Sequence, residues 1–361
     1  MTNFIMGFFA PWLIDALLLA LHLLLPSRKV IGYVRDQRNG EPLRYRLNGL
    51  LVLVSLVGLW ALVGRLGLLP WDWLYNHRWS GLAGSGALGL IFSFVIVASV
   101  KSRGPSFWAD LYLGRLENVQ FFQGRVDAKM FLYLVGASML TLNLLSFFAH
   151  HLLIFGASFS PGVLLYCCLF LWFVIDYVVF ERVHLYTYDI FAERVGFKLG
   201  WGCFTFYPYF YCVGLWVTAG LPDPHTAPWL LVFFGCVFFT GWIFSRGANM
   251  QKFFFKTSPE GAIGGIFKHK TVSDGEYALL CGGFWGLSRH VNYLGEILMA
   301  IGLTLALGRH AGWIPWLYPL YYVALLFPRE RADERRCAAK YGALWKEYVR
   351  RVPKRIIPGL Y

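Results

Sequence analysis

The residue types best suited to chemistry are concentrated in the last third of the chain. Trp285, Arg289, His290, Asn292, Tyr293 and Glu296 fall within GFWGLSRHVNYLGE, and Arg329 and Asp333 open the long polar run that leads to RVPKRIIPGLY. Charged groups at the ends of apolar segments carry a desolvation cost that residence in lipid does not require, so by default they mark a site. Arg289 and Tyr293 are four apart, as are Asn292 and Glu296. The cluster offers an aromatic plane for a base and donors for a phosphate or an amide. The plainer alternative is a span boundary, where Trp, Tyr and Arg anchor at the interface.

Upstream, Asn249, Lys252 and Lys256 in ANMQKFFFK are spaced to share one helical face. An amide beside two ammonium point charges suits phosphates; the alternative is a basic anchor on lipid headgroups. Downstream, Arg329, Asp333 and Cys337 form one stripe of a helix leaving the membrane, and Lys340, Tyr341, Trp345 and Tyr348 continue near it. A carboxyl group buried there has a raised pKa and can deliver a proton, which makes Asp333 the first candidate acid. Glu334 and the surrounding arginines, Arg331 to Arg335, read partly as ion pairs on a solvated face.

The first half contributes Asp176, Tyr177 and Glu181 at the end of an apolar segment, where such groups line cavities. They are the second candidate proton source. Asp110, Arg115 and Glu117 read as surface ion pairs. No metal is expected. His150 and His151 are adjacent and point apart, no spaced histidine set occurs, and the seven cysteines include no Cys-x-x-Cys pair, so they read as packing residues.

These groups must be positioned by membrane helices. The 361 residues are 57% apolar, 19% aromatic and 15% charged, well outside the soluble range. Apolar runs near 4–25, 47–70, 82–100, 129–155, 161–181, 200–221, 228–246, 290–308 and 312–327 are long enough for a hydrocarbon layer of ~30 Å. A short segment near 277–288 reads as half-buried. The fold class is therefore all-α: a polytopic membrane helix bundle with about 9–10 spans. The first segment reads as a span, because it has no cationic leader and Asp15 interrupts it.

The net charge is +13, and Lys and Arg gather in alternate loops (26–46, 101–129, 182–198, 246–270 and the tail after 328). That alternation puts those loops and the C-terminus in the cytoplasm, and the remaining basic charge suits anionic headgroups. Nothing points to nucleic acid. With no repeat or long linker, residues 1–361 read as a single integral domain. The loop 247–276, with SPEGAIGG and VSDGE, reads as turns.

Taken together, ANMQKFFFK, GFWGLSRHVNYLGE, DERRCAAKYGALWKEY and RVPKRIIPG closely resemble the sterol reductase family. That family includes the Δ14-sterol reductases, 7-dehydrocholesterol reductases, sterol Δ24(28)-reductases and the membrane part of the lamin B receptor. The similarity extends upstream through DYVVFER and GFKLGWG, and more loosely through DLYLGRLEN. The resemblance implies a reductase of a sterol carbon–carbon double bond that uses NADPH from the cytoplasm and a sterol from the bilayer. It puts Lys252, Lys256, Leu280, Trp285, Asn292, Tyr293, Arg329 and Asp333 on NADPH-binding positions, with Asn249, Arg289 and Tyr348 beside them. Residues 1–246 then form mainly the sterol half and 247–361 the NADPH half. The membrane would be the bacterial inner membrane, or the endoplasmic reticulum in a eukaryote.

Departures bear on the substrate. Val291 stands where many members have proline, Cys203 and Glu296 stand where aspartate is usual, and GFWG and LGWG lean toward the Δ7 enzymes over the Δ14. Two other readings stay open. One is an S-adenosylmethionine-dependent membrane methyltransferase of the isoprenylcysteine or phospholipid type, which shares an Arg-His-x-x-Tyr turn. The other is a sterol-binding scaffold without catalysis.

Overall fold

A computed structural model describes residues 2–36, 40–102, 106–258 and 270–361. The chain forms two compact units, Met1–Asp223 and Pro224–Tyr361. In the first unit the principal helices are α1 (Thr2–Leu24), α2 (Gly49–Arg65), α3 (Arg78–Ala98), α4 (Ala128–Phe155) and α5 (Pro161–Val179). In the second they are α6 (Pro228–Thr257), α7 (Val291–Ala306) and α8 (Leu317–Arg351). Among the described residues three two-stranded antiparallel hairpins decorate the helices: β1 (Arg28–Arg35) with β2 (Pro42–Leu47), β3 (Gln120–Phe121) with β4 (Val126–Asp127), and β5 (Thr271–Ser273) with β6 (Ala278–Leu280).

Among the described residues five helices are long and apolar enough to cross a membrane: α1, α3, α4, α5 and α6. Two shorter apolar helices, α2 and α7, accompany them. The protein is a helical, multi-pass integral membrane protein. Differences from the expected spans have local causes. Residues 200–221 are not one helix but a chain of short pieces, Phe197–Trp201, Gly202–Phe206, Tyr207–Phe210 and Val213–Thr218. Pro208 offers no N–H to the ladder, and Gly202–Phe206 is a π-turn. Broken helix inside lipid needs other partners for the freed carbonyls. Ser85 donates to the Phe204 carbonyl, and Asn143 Nδ2 to that of Pro208 at 2.9 Å. The 277–288 segment is a short strand and a single helical turn, Phe284–Leu287. The segment 312–327 is a 3₁₀ turn, Ile314–Trp316, followed by the start of α8, which runs on well beyond it.

In the first unit α4 is the most enclosed element, with Leu132, Val135, Leu140, Leu144 and Phe147 all buried. Its N-terminus is capped by Asp127, whose carboxylate accepts from Lys129 N and Met130 N. Helices α1 and α3 touch at Gly84, where a Cβ would sit 1.7 Å from the Phe8 carbonyl oxygen, so only glycine fits. The expectation of surface pairing at Asp110 and Arg115 is corrected. Both are buried, with Arg115 Nε 2.8 Å from Asp110 Oδ2 and its Nη1 on the carbonyls of Val97 and Val100.

In the second unit α6 and α7 pack backbone to backbone. A Cβ on Gly241 would meet the Gly295 carbonyl at 2.5 Å, and one on Gly295 would meet that of Gly241. Close approach of this kind is how helices associate in lipid, where the hydrophobic effect gives no help. Ser245 Oγ donates to Glu296 across the contact at 2.6 Å. Helix α6 continues unbroken to Thr257, so much of the expected 247–276 loop is helical. Residues 259–269, with most of SPEGAIGG, lie outside the described residues. The turn at Asp274 is as expected: its carboxylate accepts from Glu276 N and Tyr277 N. Helix α8 is broken at Gly342, whose φ of 51° and ψ of −116° are non-helical. That break turns Leu344, Trp345 and Tyr348 onto Val272, Cys281 and Val352, forming a small core.

Candidate functional site

The second unit gathers most of the expected site residues. Lys252, half-buried on α6, places its ammonium 5.7 Å from the centre of the Trp285 ring. Trp285 is fixed by its indole N–H, which donates to the Ala248 carbonyl at 2.9 Å. Gln251 holds the preceding turn, donating to Gly282 O and accepting from Phe284 N. Lys252 also acts electrostatically on Asp333, together with Arg329 and Arg336. Burial is nonetheless the stronger influence and raises the Asp333 carboxyl above its ordinary range, with Glu334 adding to it. The three cations suit phosphate charge, and a carboxyl with a raised pKa is suited to giving up a proton.

Arg289 and Tyr293 do not share a helical face as expected, because the helix starts only at Val291 with His290 as its cap residue. Arg289 is 3% exposed and turns toward the C-terminal tail. Its guanidinium donates to Glu334 at 3.2 Å and to the carbonyls of Val352 and Pro353 at 2.8 and 2.9 Å. The tail is sewn on further by Arg289 N to Lys354 O, His290 N to Arg355 O and Ser288 Oγ to Ile356 O. The His290 ring stacks on Tyr293, with centroids 4.9 Å apart at 17°. Burial, with Arg289, Lys252 and Arg355 nearby, pushes the imidazole down to about 3. His290 is therefore a neutral ring. Among the described residues its Nε2 and the side-chain oxygen of Asn292 are buried without a hydrogen-bond partner.

The remaining expected residues are more dispersed. Leu280 is buried and Lys256 is exposed at the end of α6, while Asn249 is half-buried on α6. Tyr348 is buried against Trp345, ring centroids 5.0 Å apart, and burial raises its hydroxyl pKa. Asp176, Tyr177 and Glu181 belong to the first unit. Glu181 accepts from Gly49 N with both oxygens at 3.1 Å, capping α2, and burial pushes its carboxyl up to about 7. Tyr177 stacks on His184 with centroids 3.9 Å apart.

Sequence reasoning missed the clasp around the tail. Glu330 is fully buried; Arg355 lies 3.6 Å from it, and Tyr361 Oη donates to it at 3.5 Å. Glu334 is no solvated-face residue, since it accepts from both buried Arg289 and Trp345. The four-residue spacing of Glu330 and Glu334 was the available signal. His290, Glu330 and Glu334 each bring a ligand-type atom within 4.8 Å of the others. Arg289 and Arg355 already balance the two carboxylates, so a cation there would leave both guanidinium groups uncompensated. The cluster is an ion-pair clasp.

With this geometry in view, the comparison with known proteins is direct. Residues 3–361 match the family described as "Ergosterol biosynthesis ERG4/ERG24 family". The chain belongs to this family. It is 33% identical to a protein named Delta(14)-sterol reductase from Arabidopsis thaliana, over 94% of this chain and 91% of that one. It is likewise 33% identical to Delta(14)-sterol reductase TM7SF2 of Mus musculus, over 98% of this chain and 86% of that one. A probable 7-dehydrocholesterol reductase of Acanthamoeba polyphaga mimivirus is 34% identical, over 56% of this chain and 45% of that protein. The family resemblance read from the motifs is thus borne out along the whole chain.

Proposed function

We propose that this member of the family is an NADPH-dependent reductase of a sterol ring double bond, and that the Δ14 bond is the one reduced. The lean toward Δ7 drawn from GFWG and LGWG gives way here, because the relatives matching over nine-tenths of the chain are named for Δ14. The observation that carries the cofactor reading is the grouping of Lys252, Arg329 and Arg336 around Asp333, next to the Trp285 ring. With Glu334 committed to Arg289, Lys252, Arg329 and Arg336 outnumber the Asp333 carboxyl and suit a dinucleotide phosphate group. Trp285 gives a flat apolar surface for a ring, and the buried, unpartnered Asn292 oxygen can accept from an amide or hydroxyl donor. The residues therefore fit the cofactor, and a 2′-phosphate accounts for the basic groups better than NADH does.

The cofactor, when bound, supplies a hydride to one alkene carbon. The chain's own residues do the rest. Lys252 and Arg329 hold phosphate, with Lys256 beyond them at the end of α6. Trp285, Tyr293 and Asn292 orient the dinucleotide, with Asn249, Leu280, Arg289 and Tyr348 supporting the wall. Asp333, whose carboxyl burial raises above its ordinary range, gives its proton to the other alkene carbon. Asp176, Tyr177 and Glu181 are the second proton source in this reading.

The methyltransferase reading is disfavoured because the family match runs through residues 3–361, not the C-terminal turn alone. Titration of purified protein with NADPH, NADH and S-adenosylmethionine tests the cofactor. NADPH is expected to bind tightest and to weaken in Lys252→Ala and Arg329→Ala. Binding of S-adenosylmethionine but neither nicotinamide would overturn the reading.

A further inference from the structure

A second charged site lies in the first unit, at the end of the membrane spans. Hairpin β1–β2 joins the C-terminus of α1 to the N-terminus of α2, so it sits where both helices meet the bilayer surface. Its two faces differ sharply. Val30 and Tyr45 are paired on one face and pack with Met130, Leu185 and Ile190. On the other face Lys29 is paired with Arg46 and Ile31 with Arg44. Like charges directly opposite on neighbouring strands repel, and Lys29 and Arg46 stand opposite each other on this rung.

That cationic face walls a cleft of about 320 Å³, which Arg125, Gln120, Gln123 and Gly124 close from the β3–β4 hairpin. Arg46 and Arg125 are aimed by the last carbonyls of α1: Arg46 Nη2 donates to His22 O and Leu25 O at 3.3 Å, and Arg125 Nη2 to Leu23 O at 2.7 Å. Asp36 and Glu41 line the cleft at the turn end, so four cations face two carboxylates. The β3–β4 turn carries a cost of its own. Phe122 and Gln123 hold left-handed backbone, with φ of 53° and 57°, a conformation that bulky residues adopt rarely and that collects at ligand clamps. It leaves Phe122 55% exposed beside exposed Phe121 and Ile31, an apolar rim next to the charged cleft.

We propose that this cleft binds the phosphate of an anionic phospholipid headgroup, with Lys29 and Arg44 as the contacts that select for charge. The anion relieves the Lys29–Arg46 repulsion, and the apolar rim lies against the acyl chains. The rim and the adjoining span ends favour a lipid over free phosphate. The site is independent of the reductase reading.

The test uses full-length protein in neutral detergent, equilibrated with phosphatidylglycerol or phosphatidylcholine. Lipid retained through gel filtration is then quantified by mass spectrometry. Wild type is expected to retain phosphatidylglycerol in preference to phosphatidylcholine. The Lys29→Ala/Arg44→Ala variant should lose roughly thirty-fold in retention, about fivefold per cation removed, while Lys346→Ala matches wild type. Raising salt should strip the lipid from wild type, a readout that stands even if the double variant misfolds. Equal retention by the double variant and wild type overturns the site. Displacement of the lipid by millimolar inorganic phosphate overturns the lipid as occupant in favour of free phosphate.

Discussion

Particular polar groups of the two units are used in different ways, although each unit also holds buried polar atoms without a hydrogen-bond partner among the described residues. Those beside the helix ends of the first unit are tied to backbone: Glu181 to Gly49 N, Asp127 to Lys129 N and Met130 N, and Lys129 to the carbonyls of Ile190 and Glu193. Each satisfies a helix end or a loop. In the second unit Asp333 sits among Lys252, Arg329 and Arg336, and buried atoms of His290 and Asn292 have no hydrogen-bond partner. Buried polar groups are almost always paired, and in the proposed reading the unpaired ones beside this charged cluster meet the cofactor. The contrast teaches that polar residues at membrane-helix ends are not equivalent. Those closed on backbone hold the fold, and in the proposed reading those around Asp333 meet the cofactor.

The comparison can be broken at several points. Asp333→Asn should leave NADPH binding near wild type while turnover falls by roughly 10²-fold or more, as expected for loss of a positioned acid. Unchanged turnover would remove Asp333 from the chemistry. Arg289→Ala leaves Glu334 without its buried partner and frees the tail carbonyls. A loss of about 3–5 kcal/mol is expected from breaking such a pair, measurable as a lowered melting temperature and as tryptic cleavage near Lys354. Lys252→Ala should raise the KM for NADPH about tenfold, the loss of one charge-assisted contact, with little change in kcat.

The smallest effect is one of pH, and its sign differs between the units. His290 is held at about 3 against an ordinary 6.5, so its contribution is present above 6.5 and is lost as pH falls toward 3. The loss runs at about 1.4 kcal/mol per pH unit below 6.5. Glu181 is held at about 7 against an ordinary 4.5, so its contribution is present below 4.5 and is lost as pH rises through 7. Hydrogen exchange at pH 5 and pH 7, read separately on peptides from each unit, should show the second unit stiffening with pH while α2 loosens. Glu181→Gln should remove the change at α2, and His290→Asn the one near Tyr293.

Much of this was legible in the chain itself. The helical spacing of Lys252 and Asp333, the aromatic Trp285 and the apolar runs all have local causes that a sequence displays. What stayed hidden depends on distance along the chain. The contacts of Arg289 reach 63 and 64 residues ahead to Val352 and Pro353, so nothing in GLSRHVN shows that its guanidinium is committed to the tail. Glu330 and Glu334 look like neighbours of a solvated helix until the tail covers them. The broken segment at 200–221 was misread because hydropathy registers apolar content and not the missing N–H of Pro208. In the first unit, Glu181 reads from the sequence as a second candidate proton source after Asp333; its hydrogen bond from the Gly49 N–H, 132 residues away, could not be read there.

The most direct measurement is NADPH consumption by purified, detergent-solubilised protein offered a Δ8,14-diene sterol or 7-dehydrocholesterol, with products identified by mass spectrometry. The expected result is stoichiometric NADPH oxidation with the Δ14 bond reduced, abolished in Asp333→Asn and retained in Glu181→Gln. Turnover that survives Asp333→Asn but fails in Glu181→Gln would contradict the division between open and closed carboxylates, and NADPH left unoxidised with both sterols would contradict the reductase itself.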